Sequence, residues 1–459
     1  VISNVVRIAL LGCGTVGASL LELLEKQAAQ IAKRQALELE VAAIAVSDLA
    51  KQRPEVVPTE LLSDNAAEVV SRDDIDVVVE LMGGTNPTLD LVLSALKAGK
   101  PVVTANKELL ARHGEQVFQA AAGTGVEVHF EAAVAGGIPL IRPLQVSLAG
   151  EKIHTIMGIV NGTTNFILTQ MAEHAVSYEV ALAEAQKLGY AERDPTADVE
   201  GHDAAAKAAI LAAIASDSPV GLADVHCEGI SHLRLDDLEA AQKLGFVVKL
   251  LAVIDLREGE MMIRVHPALL PAAHPLASVR DAFNAVFVEG EAVGELMFYG
   301  PGAGGSPTAS AVLGDLIEAA REVRDGRSQG AGSTEVDSGE DFAPSSRSPS
   351  PRRPSQSRPA PQAAGRKLRI LPIEELTTCY YLSVDVIDRP GVLSMVSGVF
   401  GRHKVSIRWM EQDGLGQDAR LIFLTHLAVE KNIQAAVAEL RTLEVVRQVN
   451  TLMKVMGGQ

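Results

Sequence analysis

"RIALLGCGTVG", residues 7–17, decides how the first part of the chain folds. An apolar run ends in Gly12, Gly14 and Gly17, spaced G-x-G-x-x-G, and the helix-like stretch "GASLLELLEKQAAQIAK" follows. A strand entering a helix through such a turn is the context the spacing requires. The first glycine permits the tight turn, the second lets backbone approach a pyrophosphate, and the third lets helix and strand pack. The helix N-terminus then faces the phosphates. Gly12, Gly14, Thr15, Val16 and Gly17 are the candidate cofactor contacts.

Working outward, "LEVAAIAV", "IDVVVELMG", "KPVVTAN" and "VEVHFEA" are further short buried strands, separated by the helical stretches "TLDLVLSALKAG" and "ELLARHGEQVFQAAAGTG". Such alternation predicts an α/β unit, a Rossmann-type dinucleotide-binding domain with a parallel sheet, over 1–130, rejoined by a returning helix over 303–324. Residues 131–302 mix strands such as "EKIHTIMGIV" with alanine-rich helices and predict a second, α+β domain. Residues 325–366 are rich in Ser, Pro, Gly and Arg and are expected to be a disordered linker. Residues 367–459 read as βαββαβ, the ferredoxin-like order.

The chain has 459 residues, which is two or three domains' worth, and its 47% hydrophobic and 22% charged residues suit globular domains. A formal net charge of −17 disfavours nucleic acid and anionic membranes as partners. The three cysteines, Cys13, Cys227 and Cys379, form no CxxC pair, which argues against a zinc knuckle or disulfide framework and fits a cytoplasmic location. No stretch has membrane-spanning character, and the N-terminus reads as a strand rather than a signal peptide. The histidines have no metal-ligand spacing and read as structural or surface residues.

"GYAERDPTADVEGHDAAAKAAILAAIA", residues 189–215, places one ammonium in a greasy helix directly after a cluster of carboxylates. Lys207 is the only charge between Asp203 and Asp217. A helix apolar on all sides is normally buried, and a buried lysine is paired or working. Asp203 stands one turn earlier, within reach. Lys207 is thus the candidate proton-transfer group, with the acids before it available to grip a cationic substrate group. For the cofactor, Asp48 after the second strand could hold ribose hydroxyls, and Lys51 or Arg53 a 2′-phosphate. The choice stays open.

Seven blocks in order, "GCGTVG", "ELMGG", "VVTANKELLA", "FEAAVAGGIPLI", "IVNGTTNFIL", "GYAERDPTADVEGHDAAAKAAILA" and "YGPGAGGSPTASAV", resemble homoserine dehydrogenases that carry a C-terminal ACT domain. The resemblance spans nearly the whole chain apart from the linker. It implies NAD(P)-dependent interconversion of L-homoserine and L-aspartate 4-semialdehyde in threonine, methionine and isoleucine biosynthesis, with NADP slightly favoured. Ser47 departs from the pattern, standing where many relatives have an arginine for the 2′-phosphate. By resemblance, Lys207, Asp203 and Lys107 are catalytic, and Glu192, Asp198 and Asp203 bind substrate. Lys107 and Gly302 also contact the cofactor, and Glu131, Val134, Gly136 and Ile138 hold a monovalent cation such as sodium, mostly through backbone carbonyls.

The resemblance further implies a catalytic domain that also dimerises, a homodimer or homotetramer, and an ACT domain that binds an amino-acid effector, with threonine as feedback inhibitor. The turn "DRPG", Asp388–Gly391, is its candidate carboxylate contact. Removing residues 367–459 is expected to leave catalysis and abolish inhibition. Two other readings are an oxidoreductase acting on a related semialdehyde and a non-catalytic sensor of nicotinamide and amino acid. An aspartate kinase fusion is not expected, since the dehydrogenase pattern begins at the first residues.

Overall fold

The structure, a computed structural model, describes residues 4–332, 368–415 and 417–457. It divides into two compact units. One takes the chain through Ser147, Ala213–Pro219 and the helix that follows Ala303; the other takes Leu148–Ala212, Val220–Gly302 and the chain from Leu368.

The first unit holds strands β1 (Val5–Leu11), β2 (Glu38–Ala45), β3 (Leu62–Ser63), β4 (Val77–Glu80), β5 (Val102–Thr104) and β6 (Val128–His129). All pair in parallel in the order β3-β2-β1-β4-β5-β6, the doubly wound arrangement expected. Its helices are α1 (Thr15–Gln35), α2 (Ala66–Ser71), α3 (Thr88–Lys97), α4 (Lys107–Thr124) and the returning α10 (Gly305–Gly332). Leu20, Leu21, Leu24 and Ile31 put one stripe of α1 into the core, where Val312, Leu313 and Leu316 of α10 join it. Burying each such side chain contributes about 1.5–3 kcal/mol.

Two boundaries in the structure differ from the expected ones. Residues 131–147, expected in the second domain, belong to the first unit: Glu131 N–H donates to Asp315 Oδ2 of α10 at 2.7 Å, and Arg142 Nη2 donates to Asp315 Oδ1 at 2.8 Å. The helix expected to end near 324 continues through Gly332. Gly326, within that extension, is exposed with nothing near its Cβ position, so it costs the helix only about 1 kcal/mol. The remainder of the expected linker lies outside the described residues.

The second unit is built on one long sheet. It contains β7 (Ile153–Ile159), β8 (His226–Cys227), β9 (Phe246–Arg257), β10 (Glu260–Pro271), β11 (Phe283–Gly290), β12 (Gly294–Pro301), β13 (Arg369–Ile370), β14 (Thr377–Ile387), β15 (Ile407–Leu415), β16 (Asp418–Thr425), β17 (Ala428–Val429) and β18 (Val446–Val455). Its helices are α5 (Gly162–His174), α6 (Tyr178–Lys187), α7 (Thr196–Val199), α8 (His202–Ser216, which ends in the first unit), α9 (Leu235–Lys243), α11 (Val392–Arg402) and α12 (Glu430–Leu440). The C-terminal part has strand order β18-β14-β16-β15, with α11 and α12 closing its core, as the ferredoxin-like reading requires.

That C-terminal part is not a separate bead. β18 pairs in parallel with β10 at Lys454 and Val455, so the two sheets run into one.

Candidate active site

The turn after β1 is built as its glycines demand. Gly12 has φ +92°, and a Cβ there would lie 2.7 Å from Leu81 O; its N–H donates to Ala45 O at 2.8 Å. A Cβ on Gly17 would lie 2.9 Å from Gly12 O. Gly14, by contrast, has nothing within 4 Å of its Cβ position, so the fold itself does not need a glycine there. It caps α1 through its carbonyl, whose first bond comes from Ala18 N–H, while Thr15 is exposed and Val16 half-buried at the helix start. Open space at Gly14 beside a helix N-terminus fits a dinucleotide pyrophosphate.

Asp48 Oδ1 is taken up by Ala50 N–H at 2.8 Å, closing its own loop. Arg53 folds under that loop, donating to Asp48 O at 2.7 Å and Lys51 O at 2.9 Å. Its charge is felt at the Cys13 thiol in the glycine turn, where burial pushes the pKa up and Arg53 pulls it down. Ser47 is exposed.

The "ELMGG" and "VVTANKE" blocks form one hydrogen-bonded knot. Fully buried Glu80 accepts from Met82 N–H at 2.7 Å, Gly83 N–H at 3.1 Å and Thr104 Oγ1 at 2.6 Å. Asn106 donates to Gly84 O at 2.7 Å and accepts from Leu109 N–H at 3.0 Å, capping α4. Lys107, half-buried, is the first residue of that helix.

In the loop after β6, Glu131 spends its carboxylate on the N–H groups of Leu140, Ile141 and Arg142, at 2.5, 2.7 and 3.0 Å. Val134, Gly136 and Ile138 are buried, and no donor among the described residues reaches their carbonyl oxygens. Three such carbonyls in one loop suit a hard monovalent cation. Glu127 and His129, just before this loop, and Glu322 of α10 form the one group of His, Cys, Asp and Glu side chains among the described residues close enough to share a metal. His129 Nε2 lies 2.9 Å from Glu322 Oε1, an ion-pair geometry. Burial and the Glu322 charge push Glu127 up to about 7.

The second unit brings together the centre of the acidic block. α8 is buried along its length around Lys207, as its composition requires. Lys207 Nζ donates to Asp203 Oδ2 and to Val160 O, both at 2.7 Å. Asn161 ties the rest: its Nδ2 donates to Asp203 Oδ2 at 2.9 Å and Asp198 Oδ1 at 2.7 Å, while its Oδ1 caps α5 at Thr164 N–H, 2.9 Å. Glu192 is not drawn into this network. It is exposed on the loop after α6, which is held by its carbonyl to Gln186 and by Thr163 Oγ1 to Tyr190 O at 2.6 Å.

Sequence reading missed Asn161, although Asn before "GTT" is a recognisable N-cap signal. It also missed Asn165 and Lys249. Asn165 Nδ2 donates to the carbonyls of Asp281 and Phe283 at 2.9 and 3.1 Å, and Lys249 Nζ to Asn165 Oδ1 at 2.8 Å. Burial pulls the Lys249 ammonium down to about 8. Gly302 has a packing reason of its own: the Asn284 carboxamide fills its Cβ position, 2.0 Å away.

Comparison with known proteins gives the family. The family profile "Homoserine dehydrogenase, NAD binding domain" matches residues 12–131, "Homoserine dehydrogenase" matches 139–317 and "ACT domain" matches 380–445. The homoserine dehydrogenase of Corynebacterium glutamicum is 47% identical over 457 residues, covering 98% of this chain and 96% of that one. That of Mycobacterium tuberculosis is 44% identical, with 98% of each chain covered. The crystal structure of a homoserine dehydrogenase from Thiobacillus denitrificans superposes with a TM-score of 0.86 at 39% identity, again over 98% of each chain. A hyperthermophilic archaeal homoserine dehydrogenase in complex with NADPH matches with a TM-score of 0.59 at 28% identity, over 69% of this chain and 98% of that one. Similarity this high over nearly the full length, in sequence and in fold, makes the chain a member of the homoserine dehydrogenase family, an oxidoreductase with an NAD(P)-binding domain and a C-terminal ACT domain.

Proposed function

We propose that the chain interconverts L-homoserine and L-aspartate 4-semialdehyde, with Lys207 moving the proton. The reading rests above all on Lys207 itself, an ammonium sunk in an apolar helix and aimed by Asp203 and Val160 O. A bound nicotinamide supplies or accepts the hydride. In the reductive direction Lys207 stabilises the negative charge growing on the aldehyde oxygen and delivers a proton to it; in the oxidative direction its neutral amine takes the hydroxyl proton. Asp203 orients Lys207, and Asp198 and Asp203, held by Asn161, receive the substrate ammonium, with Glu192 joining them when substrate is bound. Lys107 sits at the nicotinamide and the reacting oxygen, and Gly302 lines the cofactor. The last three roles rest on family resemblance.

The cofactor is NADP in this reading, since the charge of Arg53 is felt at Cys13 in the glycine turn. The archaeal relative in complex with NADPH is consistent with it. Gly12, Gly14, Thr15, Val16 and Gly17 cradle the pyrophosphate. The carbonyls of Glu131, Val134, Gly136 and Ile138 hold sodium. The ACT domain binds threonine at Asp388–Gly391 as feedback inhibitor of a pathway leading to threonine, methionine and isoleucine, and the protein is a cytoplasmic homodimer or homotetramer. No helix of the described residues is long and apolar enough to cross a membrane. Homoserine-dependent reduction of NADP and of NAD, measured separately on purified protein, tests the reading. Turnover with NADP in excess over NAD supports it; no turnover of homoserine with either cofactor overturns it.

A further inference from the structure

The turn that carries Asp198 is closed by its own backbone hydrogen bonds, Gly201 N–H to Asp198 O at 3.0 Å among them, and rests on a neighbouring segment as well. α7 is four residues long, Gly201 takes φ +81° and α8 starts at His202, so Asp198 and Asp203 flank a hinge. That hinge is seated on Cys227–Ile230. Ile230 N–H donates to Val199 O at 2.8 Å and Cys227 Sγ to Glu200 O at 3.2 Å. A Cβ on Gly229 would lie 2.5 Å from both Val199 O and Glu200 Cα, and one on Gly201 would lie 3.0 Å from Cys227 Sγ. With contact this close on both glycines, a shift of the seat displaces the hinge.

The seat in turn is gripped by the C-terminal domain. β9 occupies one edge of β10 along its whole length, so the other edge takes β13 at Glu260–Met261, β8 at Arg264–Val265 and β18 at Ala268–Leu269. β8 is thus lodged between two C-terminal strands. Glu228, the next residue, accepts from Lys454 Nζ of β18 at 2.6 Å and lies 2.7 Å from His226 Nε2. Lys454 is 2% exposed and also reaches Glu430 Oε2 at 3.6 Å, an oxygen that Tyr380 OH binds at 2.9 Å. Breaking one side of a buried ion pair is costly, so this grip is firm.

We infer that Lys454 and Glu228 are positioning residues for the substrate: the C-terminal domain sets the Cys227–Ile230 seat, and the seat sets Asp198. The inference rests on the reading of Asp198 as a substrate contact.

Steady-state homoserine oxidation by the full chain tests it, with Glu228→Gln, Lys454→Met, the double variant, Lys454→Arg, and Asp198→Asn as reference. Each of the first two single variants is expected to raise the homoserine KM about fivefold with the cofactor KM unchanged. The double variant is expected to be no worse than the worse single, because the pair acts as a unit, and Lys454→Arg to recover most of the affinity. An unchanged homoserine KM, equal rises in both KM values, or additive effects would overturn the inference. If Lys454→Met does not fold, Glu228→Gln and Lys454→Arg decide. Should Asp198→Asn leave the homoserine KM unaltered, the substrate reading fails and takes the inference with it; a rise in Asp198→Asn alone sinks only the positioning role.

Discussion

Lys207 Nζ and Asp203 Oδ2 lie 2.7 Å apart, one helical turn apart on a helix with no other charge in its interior. Lys207→Ala is expected to lower kcat by at least about a hundredfold, the usual worth of a positioned proton donor. It also leaves a buried carboxylate without its ammonium, which costs about 3–5 kcal/mol. Lys207→Gln keeps a donor toward Asp203 and should melt closer to wild type while remaining as inactive. Substantial turnover by a well-folded Lys207→Gln enzyme would return Lys207 to a structural ion pair.

Asn161 bridges two carboxylates with a single nitrogen and caps α5 with its oxygen. Asn161→Ala should lose about 1 kcal/mol with the cap and weaken homoserine binding about tenfold as Asp198 and Asp203 repel each other. Asn161→Asp keeps a capping oxygen but places a third anion between the two acids. Its homoserine KM is expected to exceed that of Asn161→Ala at neutral pH, and the reverse order would mean that the cap matters more than the bridge.

Gly12 and Gly14 separate fold from function. Gly12→Ala forces a left-handed residue and a Cβ 2.7 Å from Leu81 O, so it should fold poorly or not at all. Gly14→Ala meets open space and should melt near wild type. Its methyl would intrude where the pyrophosphate approaches, so the cofactor Kd should rise at least about tenfold. Tight cofactor binding by Gly14→Ala would place the phosphates elsewhere.

How much of this was legible beforehand depended on range. The glycine turn, the parallel unit, the βαββαβ order and the burial of Lys207 are written in local periodicity and turn residues, and all could be read. Asn161 was legible as a cap but not as a bridge, because Asp198 and Asp203 lie far along the chain. Glu80 looked like the end of a strand; only the loops folded around it reveal why a buried acid is tolerated. The pairing of β18 with β10 covers two residues and leaves no sequence pattern. That residues 131–147 pack with the first unit left no local pattern, because Asp315, which ties residues 131–142 to α10, lies well over a hundred residues downstream.

Acid should loosen the second unit in two stages. Burial, with the nearby charges of Lys454 and Arg264, holds His266 well below its usual pKa of 6.5. Burial would raise Glu228, but the His226 hydrogen bond and the Lys454 charge outweigh it and hold the carboxyl well below 4.5. Both folded pKa values are depressed, so in each case the unfolded chain binds the proton first and stability is lost as pH falls. Tm is expected to decline below about pH 6.5 through His266 and more steeply below about pH 4.5 through Glu228. Glu228→Gln should flatten the lower stage. A Tm independent of pH from 7 to 4 would contradict the buried network.

Cutting the chain before residue 368 tests whether the ACT domain is an attachment or part of the catalytic sheet. A simple attachment would leave a stable, active and merely unregulated enzyme. The structure favours the opposite outcome. The cut strips β18 and β13 from the edge of β10 and takes Lys454 from Glu228. It also removes Thr451 Oγ1, at 2.5 Å, and Tyr381 OH, at 3.3 Å, from the 2% exposed carboxylate of Asp237, and Arg420 from Asp236. Each buried acceptor that loses its partner costs about 1–3 kcal/mol unless water replaces it. The truncated enzyme is expected to melt well below wild type and to bind homoserine more weakly, while the glycine turn, which lies in the other unit, keeps its cofactor affinity. A truncated enzyme with unchanged Tm and homoserine KM would make the β10–β18 joint incidental.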